Sequence, residues 1–174
     1  MALSAGAQKI GRVNFNELVM LMPEMDSARE TISASQKEAE ETYSAMVEEY
    51  QGKLSQYQQK NASWTAAIKE SKEKELIDIQ NRIQEFQQNI TQELQQQQAQ
   101  LMAPINEKAN KAVKEIAKAK GLTALFDASQ AIYFDDEAVV DITADARKAL
   151  SIPEGRTVES LQAELAAKEQ PQQK

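Results

Sequence analysis

Residues 24–120 carry one long heptad-like pattern of apolar residues, in which the apolar positions before and after Asn61-Ala62-Ser63 lie at nearly equal distances from that segment. Apolar residues on the two sides form pairs whose numbers sum to 125 or 126. The pairs are Tyr57 with Ile68, Tyr50 with Leu76, Met46 with Ile79, Tyr43 with Ile83, Ala39 with Phe86, and Ile32 with Leu94. Residues equidistant from a turn meet across it, and steps of three and four place each stripe on one helix face. The pattern predicts an antiparallel helical hairpin with arms of about 40 residues, roughly 60 Å long, which is too long for a compact domain.

A second register also fits the apolar pattern. A turn near Lys72 would pair Ile68 with Leu76, Tyr57 with Phe86, and Leu54 with Ile90. The segment Lys69–Glu75 consists mostly of strong helix formers, whereas Asn61 and Ser63 favour turns and helix caps. Turn chemistry therefore favours a reversal near residues 61–65.

The composition limits the chemistry available to this chain. It contains no histidine and no cysteine, which removes the commonest general base, the thiol nucleophile and the usual zinc ligands. The run Asp135-Asp136-Glu137 contains possible cation ligands, but three acids after a strand are typical of a solvated turn. We therefore expect no enzymatic activity, no cofactor and no metal. No apolar run approaches the about 18–20 residues needed to span a bilayer.

The net charge of −7 is unevenly distributed. Residues 24–49 carry eight acids against two bases, whereas residues 52–82, around the turn, carry six bases against four acids. Residues 108–120 carry five lysines and one acid. The basic turn lies where a partner could be contacted. The overall charge, without a basic aromatic sheet or a glycine-rich phosphate loop, argues against nucleic-acid binding.

Short elements precede the hairpin. The segment Lys9–Phe15 is rich in β formers and predicts a strand. A brief helix from Glu17 to Met22 should follow it, capped by Asn16, and Pro23 suits the first position of the next helix. Residues 1–8 are interpreted as a flexible remnant, with Ala5-Gly6-Ala7 resembling the end of an export signal.

The pattern changes after the hairpin. Pro104 should kink the second arm, and Gly121 suits its C-terminal cap. The segments Leu122–Asp127 and Gln130–Phe134 predict strands, and Asp141–Leu150 predicts a helix. Thr143 is the predicted cap of that helix.

The first strand needs partners beyond residue 120, so residues 9–22 and 121–150 should form one small α/β body with residues 23–120 as its arm. Residues 151–174 form a C-terminal extension with a short helical pattern through Val158, Leu161 and Leu165. Glu169–Lys174 should be disordered.

Three segments have counterparts in a known family. Lys9–Phe15 with Pro23-Glu24 is similar to its first strand and its entry into the arm. Gly121–Asp127 with Ala131–Phe134 is similar to its paired core strands, and Asp141–Asp145 to the start of its last helix. In this order, and with the hairpin between them, these segments resemble the Skp/OmpH family of periplasmic chaperones.

The resemblance covers roughly residues 8–150 and implies an α+β fold. A small β-barrel-like body would form on trimerisation, with one long antiparallel coiled-coil hairpin, or tentacle, per chain. The homotrimer would enclose unfolded outer-membrane β-barrel proteins in a cavity and prevent their aggregation in the periplasm, without ATP. Well-known members are basic, whereas this chain is acidic, which argues against lipid or lipopolysaccharide contact.

Residues near the turn are the candidates for client binding. The apolar candidates are Tyr50, Leu54, Tyr57, Trp64 and Ile68, and the basic candidates are Lys60, Lys69, Lys72 and Lys74, with Lys53 beside them. Apolar side chains offer adaptable contacts, and lysines attract acidic clients. Tyr50, Tyr57 and Ile68 also fit a simpler interpretation, in which they pack in the seam of one hairpin.

A structural coiled-coil adaptor or spacer arm is the alternative function. It would need a well-packed, unkinked seam, whereas Gly52, Pro104 and the polar stretch Gln95–Gln98 indicate an arm that bends. Prefoldin-like chaperones also combine helical arms with strands, but their strands lie between the arms rather than on both sides of a hairpin.

Overall fold

The computed structural model describes residues 9–135 and 137–169. The chain divides into two compact units, which we call the body (residues 1–28 and 101–174) and the arm (residues 29–100). The elements are β1 (Ile10–Val13), α1 (Phe15–Leu21), α2 (Pro23–Lys60), a 3₁₀ turn (Asn61–Ser63), α3 (Ala66–Ala119), β2 (Ala124–Asp127), a second 3₁₀ turn (Ala128–Gln130), β3 (Val139–Asp141), α4 (Thr143–Ala149) and α5 (Val158–Glu169). The predicted remnant 1–8, Asp136 and residues 170–174 lie outside the described residues.

The body contains a small parallel sheet with the strand order β2-β1-β3. The central strand places Ile10 beside Ala124 on one side and beside Val139 on the other. Parallel neighbours require a long crossover, and between β1 and β2 that connection is the whole helical hairpin. A single apolar core joins the sheet to the helices, with Leu18, Leu21, Met22, Ile142 and Leu150 completely buried.

The first helix is capped by Asn14, so the prediction of Asn16 as the cap is wrong. Asn14 Oδ1 accepts the backbone N–H of Glu17 at 3.4 Å, and Asn14 Nδ2 donates to the Glu17 carboxylate at 2.7 Å. The first bond satisfies one backbone N–H at the open end of the helix, and the second holds the cap side chain in place, so the helix begins two residues earlier than predicted. Pro23 does occupy the first position of α2.

The segment Gln130–Phe134 is not a strand, which corrects the sequence prediction. Asp127 Oδ1 accepts hydrogen bonds from the backbone and hydroxyl of Ser129, at 2.9 and 2.8 Å, and ends β2 in a 3₁₀ turn. The third strand is instead Val139–Asp141. Both edges of β1 are occupied by β2 and β3, so among the described residues Ile132 and Tyr133 pair with no strand, and both are largely exposed.

The end of α3 and the start of α4 are capped by residues close to them in the chain. At the end of α3, Gly121 adopts φ +66°, Leu122 N–H donates to Ala117 at 2.9 Å, and Gly121 N–H donates to Lys118 at 3.0 Å. This pair of bonds is a Schellman cap, which agrees with the predicted role of Gly121. Ile142, rather than Thr143, occupies the cap position of α4.

The Asp141 carboxylate accepts a hydrogen bond from the backbone N–H of Thr143 at the start of α4. We therefore expect the stability of the body to depend on pH in the acid range. Burial alone would raise the pKa of Asp141, but hydrogen bonds from Thr143 and Arg12 outweigh it, and the pKa lies below its usual value. A lowered pKa contributes stability above the unfolded-state value of about 3.9, which is lost as the pH falls through the folded-state value. Asp141→Asn should therefore flatten the dependence of the unfolding midpoint on pH below about 4, measured by circular dichroism. An unchanged pH profile would contradict this role.

The C-terminal extension is part of the body as far as it is described. Ile152 and Leu161 are buried in the core, and α5 packs against α1. Arg156 Nη2 lies 2.6 Å from Asp26 Oδ1 in the first turn of α2, which raises the pKa of the guanidinium. Of the helices described, none combines the length and the apolar character needed to cross a membrane.

Candidate functional site

The turn of the arm is built by short-range hydrogen bonds. Ser63 Oγ donates to the Lys60 carbonyl at 2.8 Å, and Trp64 N–H donates to the Asn61 carbonyl at 3.2 Å. Thr65 Oγ1 then accepts Ile68 N–H at 3.4 Å and caps α3. Since α3 continues without interruption through Lys72, the alternative turn at that position is excluded.

Polar contacts between α2 and α3 show the register of the hairpin. Lys53 contacts Glu75, Tyr50 contacts Gln80 and Ser35 contacts Gln97, so the paired numbers sum to 128, 130 and 132. These sums exceed the 126 expected for a reversal centred on residue 63. Helical side chains lean toward the N-terminus of their own helix by about one residue, so a lean of both partners accounts for a sum near 128. The larger sums show that the register shifts further along the arm, toward the Ser35–Gln97 pair.

Tyr57 and Trp64 form an aromatic pair at the turn. Their ring centroids are 5.8 Å apart with an interplanar angle of 65°, an edge-to-face arrangement, and both side chains remain half-buried. The Tyr57 hydroxyl donates to Glu73, and this carboxylate raises the pKa of Tyr57. The pair therefore presents an aromatic surface that water still reaches.

The other apolar candidates differ in their surroundings. Tyr50 and Leu54 are half-buried, and the Tyr50 hydroxyl accepts a hydrogen bond from Gln80 at 2.7 Å. Ile68 is 43% exposed. The hydroxyl groups of Tyr50 and Tyr57 thus make hydrogen bonds to the other helix, with Gln80 and Glu73, whereas Ile68 is exposed.

The basic candidates fall into two groups. Lys72 and Lys53 lie 2.6 and 3.1 Å from Glu75, and together they hold the pKa of that carboxylate below its usual value, Lys72 with the larger effect. Lys60, Lys69 and Lys74 form no ion pair with any residue in the described part of the chain. These three lysines therefore leave positive charge near the turn that is not paired within the described residues.

Sequence reasoning missed two shallow grooves along the middle of the arm. One groove of about 400 Å³ is lined by Ser35, Glu38, Ala39, Thr42, Phe86, Ile90, Glu93, Leu94 and Gln97. Another of about 580 Å³ is lined by Gln36, Ala39, Glu40, Tyr43, Phe86, Gln87, Ile90, Thr91 and Leu94. Both grooves lie beside Ala39, because its small side chain does not fill the space opposite Phe86 and Ile90. The position of an alanine within the apolar stripe was the sequence feature that could have predicted the grooves.

Among the described residues, no group of three or more acidic side chains could hold a metal ion. Asp136, the middle residue of the acidic run, is not one of the described residues. The turn of the arm carries apolar, aromatic and lysine side chains that are at least partly accessible to solvent.

A long helical hairpin between the first and second strands of a small parallel sheet defines the class of this protein, a small α/β body with a helical arm. The family described as "Outer membrane protein (OmpH-like)" matches residues 9–150, and the chain therefore belongs to this family of periplasmic chaperones. The resemblance to the Skp/OmpH family is thereby confirmed. No curated protein matches the chain significantly. The extension beyond residue 150 lies outside the family match.

Proposed function

We propose that this protein is an ATP-independent holdase that encloses unfolded outer-membrane β-barrel proteins and prevents their aggregation in the periplasm. One observation carries this proposal beyond family membership. Among the described residues, Ile79 is the only buried side chain of the arm, so its many other apolar side chains remain partly accessible. Such a surface supports many weak and adaptable contacts, which retain an unfolded chain and release it without nucleotide.

The proposed assembly is a homotrimer whose bodies join through exposed apolar residues. Phe126, Ile132 and Tyr133 are 51%, 106% and 80% exposed in the single chain. Beside them lies a cavity of about 320 Å³ lined by Phe126, Asp127, Gln130, Ala131 and Phe134. Several large apolar side chains exposed on one segment favour protein–protein contact. In the trimer these segments would close the small sheets into the barrel-like body implied by the family.

Client contact is proposed at the turn of each arm, through the Tyr57–Trp64 pair and the unpaired lysines. Trp64→Ala should raise the apparent Kd for an unfolded client about three- to tenfold, equivalent to roughly 0.7–1.4 kcal/mol. The free energy of unfolding should change little because Trp64 is half-exposed. Trp64→Phe retains an aromatic ring and serves as the matched control in the same binding titration. Equal affinities in Trp64→Ala and parent would remove this residue from the client surface.

The holdase activity is tested by light scattering after a urea-unfolded outer-membrane β-barrel protein is diluted, with and without this protein and without ATP. We expect suppression of aggregation that saturates near three protomers per client. Unchanged aggregation at every excess would contradict the proposal and would favour a structural spacer arm instead.

A further inference from the structure

The middle of the arm carries an unusual concentration of negative charge. Residues 30–49 of α2 and 83–100 of α3 contain eight glutamates and a single base, Lys37. That lysine lies 3.8 Å from Glu41, at the long end of an ion pair. The region around the turn, residues 52–82, carries six bases against four acids. One arm therefore has two zones of opposite charge.

We infer that the grooves in the acidic zone bind segments of unfolded client in which apolar side chains alternate with lysine or arginine. This inference rests on the proposed holdase function and specifies the client chemistry of one part of the arm. The occupant would insert apolar side chains between the helices and direct its cationic side chains to the glutamates beside them.

The geometry of the two grooves supports this occupant. Phe86, Ile90 and Leu94 are half-buried and line both grooves beside Ala39, which leaves an apolar floor. Volumes of about 400 and 580 Å³ lie within the range of sites that accept small organic groups, and suit a large apolar or aromatic side chain.

Carboxylates flank this apolar floor. Glu38 and Glu93 line the first groove and Glu40 lines the second, and all three are exposed. A cation that remains near a solvated carboxylate gains about 1 kcal/mol at 4 Å, and an acidic segment loses a similar amount. Several such contacts discriminate between segments that have equal apolar content, and the discrimination weakens with salt.

The test uses two fluorescein-labelled 13-residue peptides with phenylalanine at alternate positions, one with lysine and one with glutamate between them. Fluorescence anisotropy with the full-length protein should show at least tenfold tighter binding of the lysine peptide at 50 mM NaCl. The ratio should fall toward one at 500 mM NaCl. Equal affinities at low salt would overturn the inference.

A matched pair of triple variants locates the binding. Glu38→Gln with Glu40→Gln and Glu93→Gln removes the groove carboxylates and should weaken binding of the lysine peptide at least fivefold. Glu115→Gln with Glu137→Gln and Glu154→Gln changes the net charge equally at exposed positions of the body and should retain the parent affinity. An equal loss of affinity for the lysine peptide in both variants would assign the effect to net charge and would contradict binding in the grooves.

The client assay separates this inference from the proposed function. A parent protein that suppresses aggregation of the unfolded outer-membrane protein but does not discriminate between the peptides contradicts only the groove. A parent protein that fails to suppress aggregation contradicts the holdase, whatever the peptides do.

Discussion

A chain that ends at Leu150 is expected to lose most of the stability of its body, although the family match ends at the same residue. The deletion removes Ile152 and Leu161, which are 6% and 5% exposed and share one core with Leu18 and Ile142. Loss of a buried aliphatic side chain costs about 2–5 kcal/mol, against a total stability of about 5–15 kcal/mol for a typical domain. The extension is therefore a structural part of the body.

The same deletion also removes polar partners. Arg147 donates to the carbonyls of Pro153 and Arg156, and Arg156 pairs with Asp26 on α2. Without the extension, part-buried Arg147 and Asp26 would lose these partners, which adds to the apolar cost. The deletion thus removes both buried apolar side chains and polar contacts from the body.

Urea unfolding followed by circular dichroism, at fixed protein concentration, measures the effect. Leu161→Ala should lower the free energy of unfolding by about 2–4 kcal/mol, whereas the exposed control Glu164→Ala should change it by less than about 0.5 kcal/mol. Equal midpoints for the truncated and full chains would contradict the packing of α5.

The second large effect concerns assembly. Ile132→Asp with Tyr133→Ser should convert the proposed trimer into single chains, because an unpaired carboxylate cannot be buried cheaply in an apolar interface. Light scattering coupled to size exclusion should give three times the chain mass of 19.4 kDa for the parent and the mass of one chain for the variant. Both residues are largely exposed in the single chain, so its own fold should survive.

A matched variant on the arm controls for added charge. Ile77 is 54% exposed, and Ile77→Asp should leave the trimer intact. A parent that elutes as a single chain would contradict the homotrimer. A double variant that remains trimeric would place the interface elsewhere on the body.

Much of the hairpin could be predicted because its signals are local. The apolar spacing of three and four defines each helix face, Pro23 starts α2, and Gly121 ends α3 through hydrogen bonds that span five residues at most. Asn61 and Ser63 indicate the turn for the same reason. Part of the site follows directly, since the turn brings Tyr57 near Trp64.

The sequence pattern could not show which lysines near the turn are paired with an acid and which are not. Lys72 is paired with Glu75 on its own helix and Lys53 reaches the same carboxylate from the other helix, whereas Lys69 and Lys74 have no ion-pair partner among the described residues. All four look alike in sequence. Their availability depends on which acid lies within reach once the helices are in register.

By itself, the sequence determined the long hairpin, its turn and the order of strand, hairpin and strand around it, because helices and turns arise from residues close together in the chain. Tertiary structure alone decided which later segment became the third strand. Gln130–Phe134 has the apolar and aromatic residues typical of strands, yet Val139–Asp141 pairs with β1. Strand pairing depends on partners more than a hundred residues away, and the same holds for the burial of Leu161 and for the space beside Ala39.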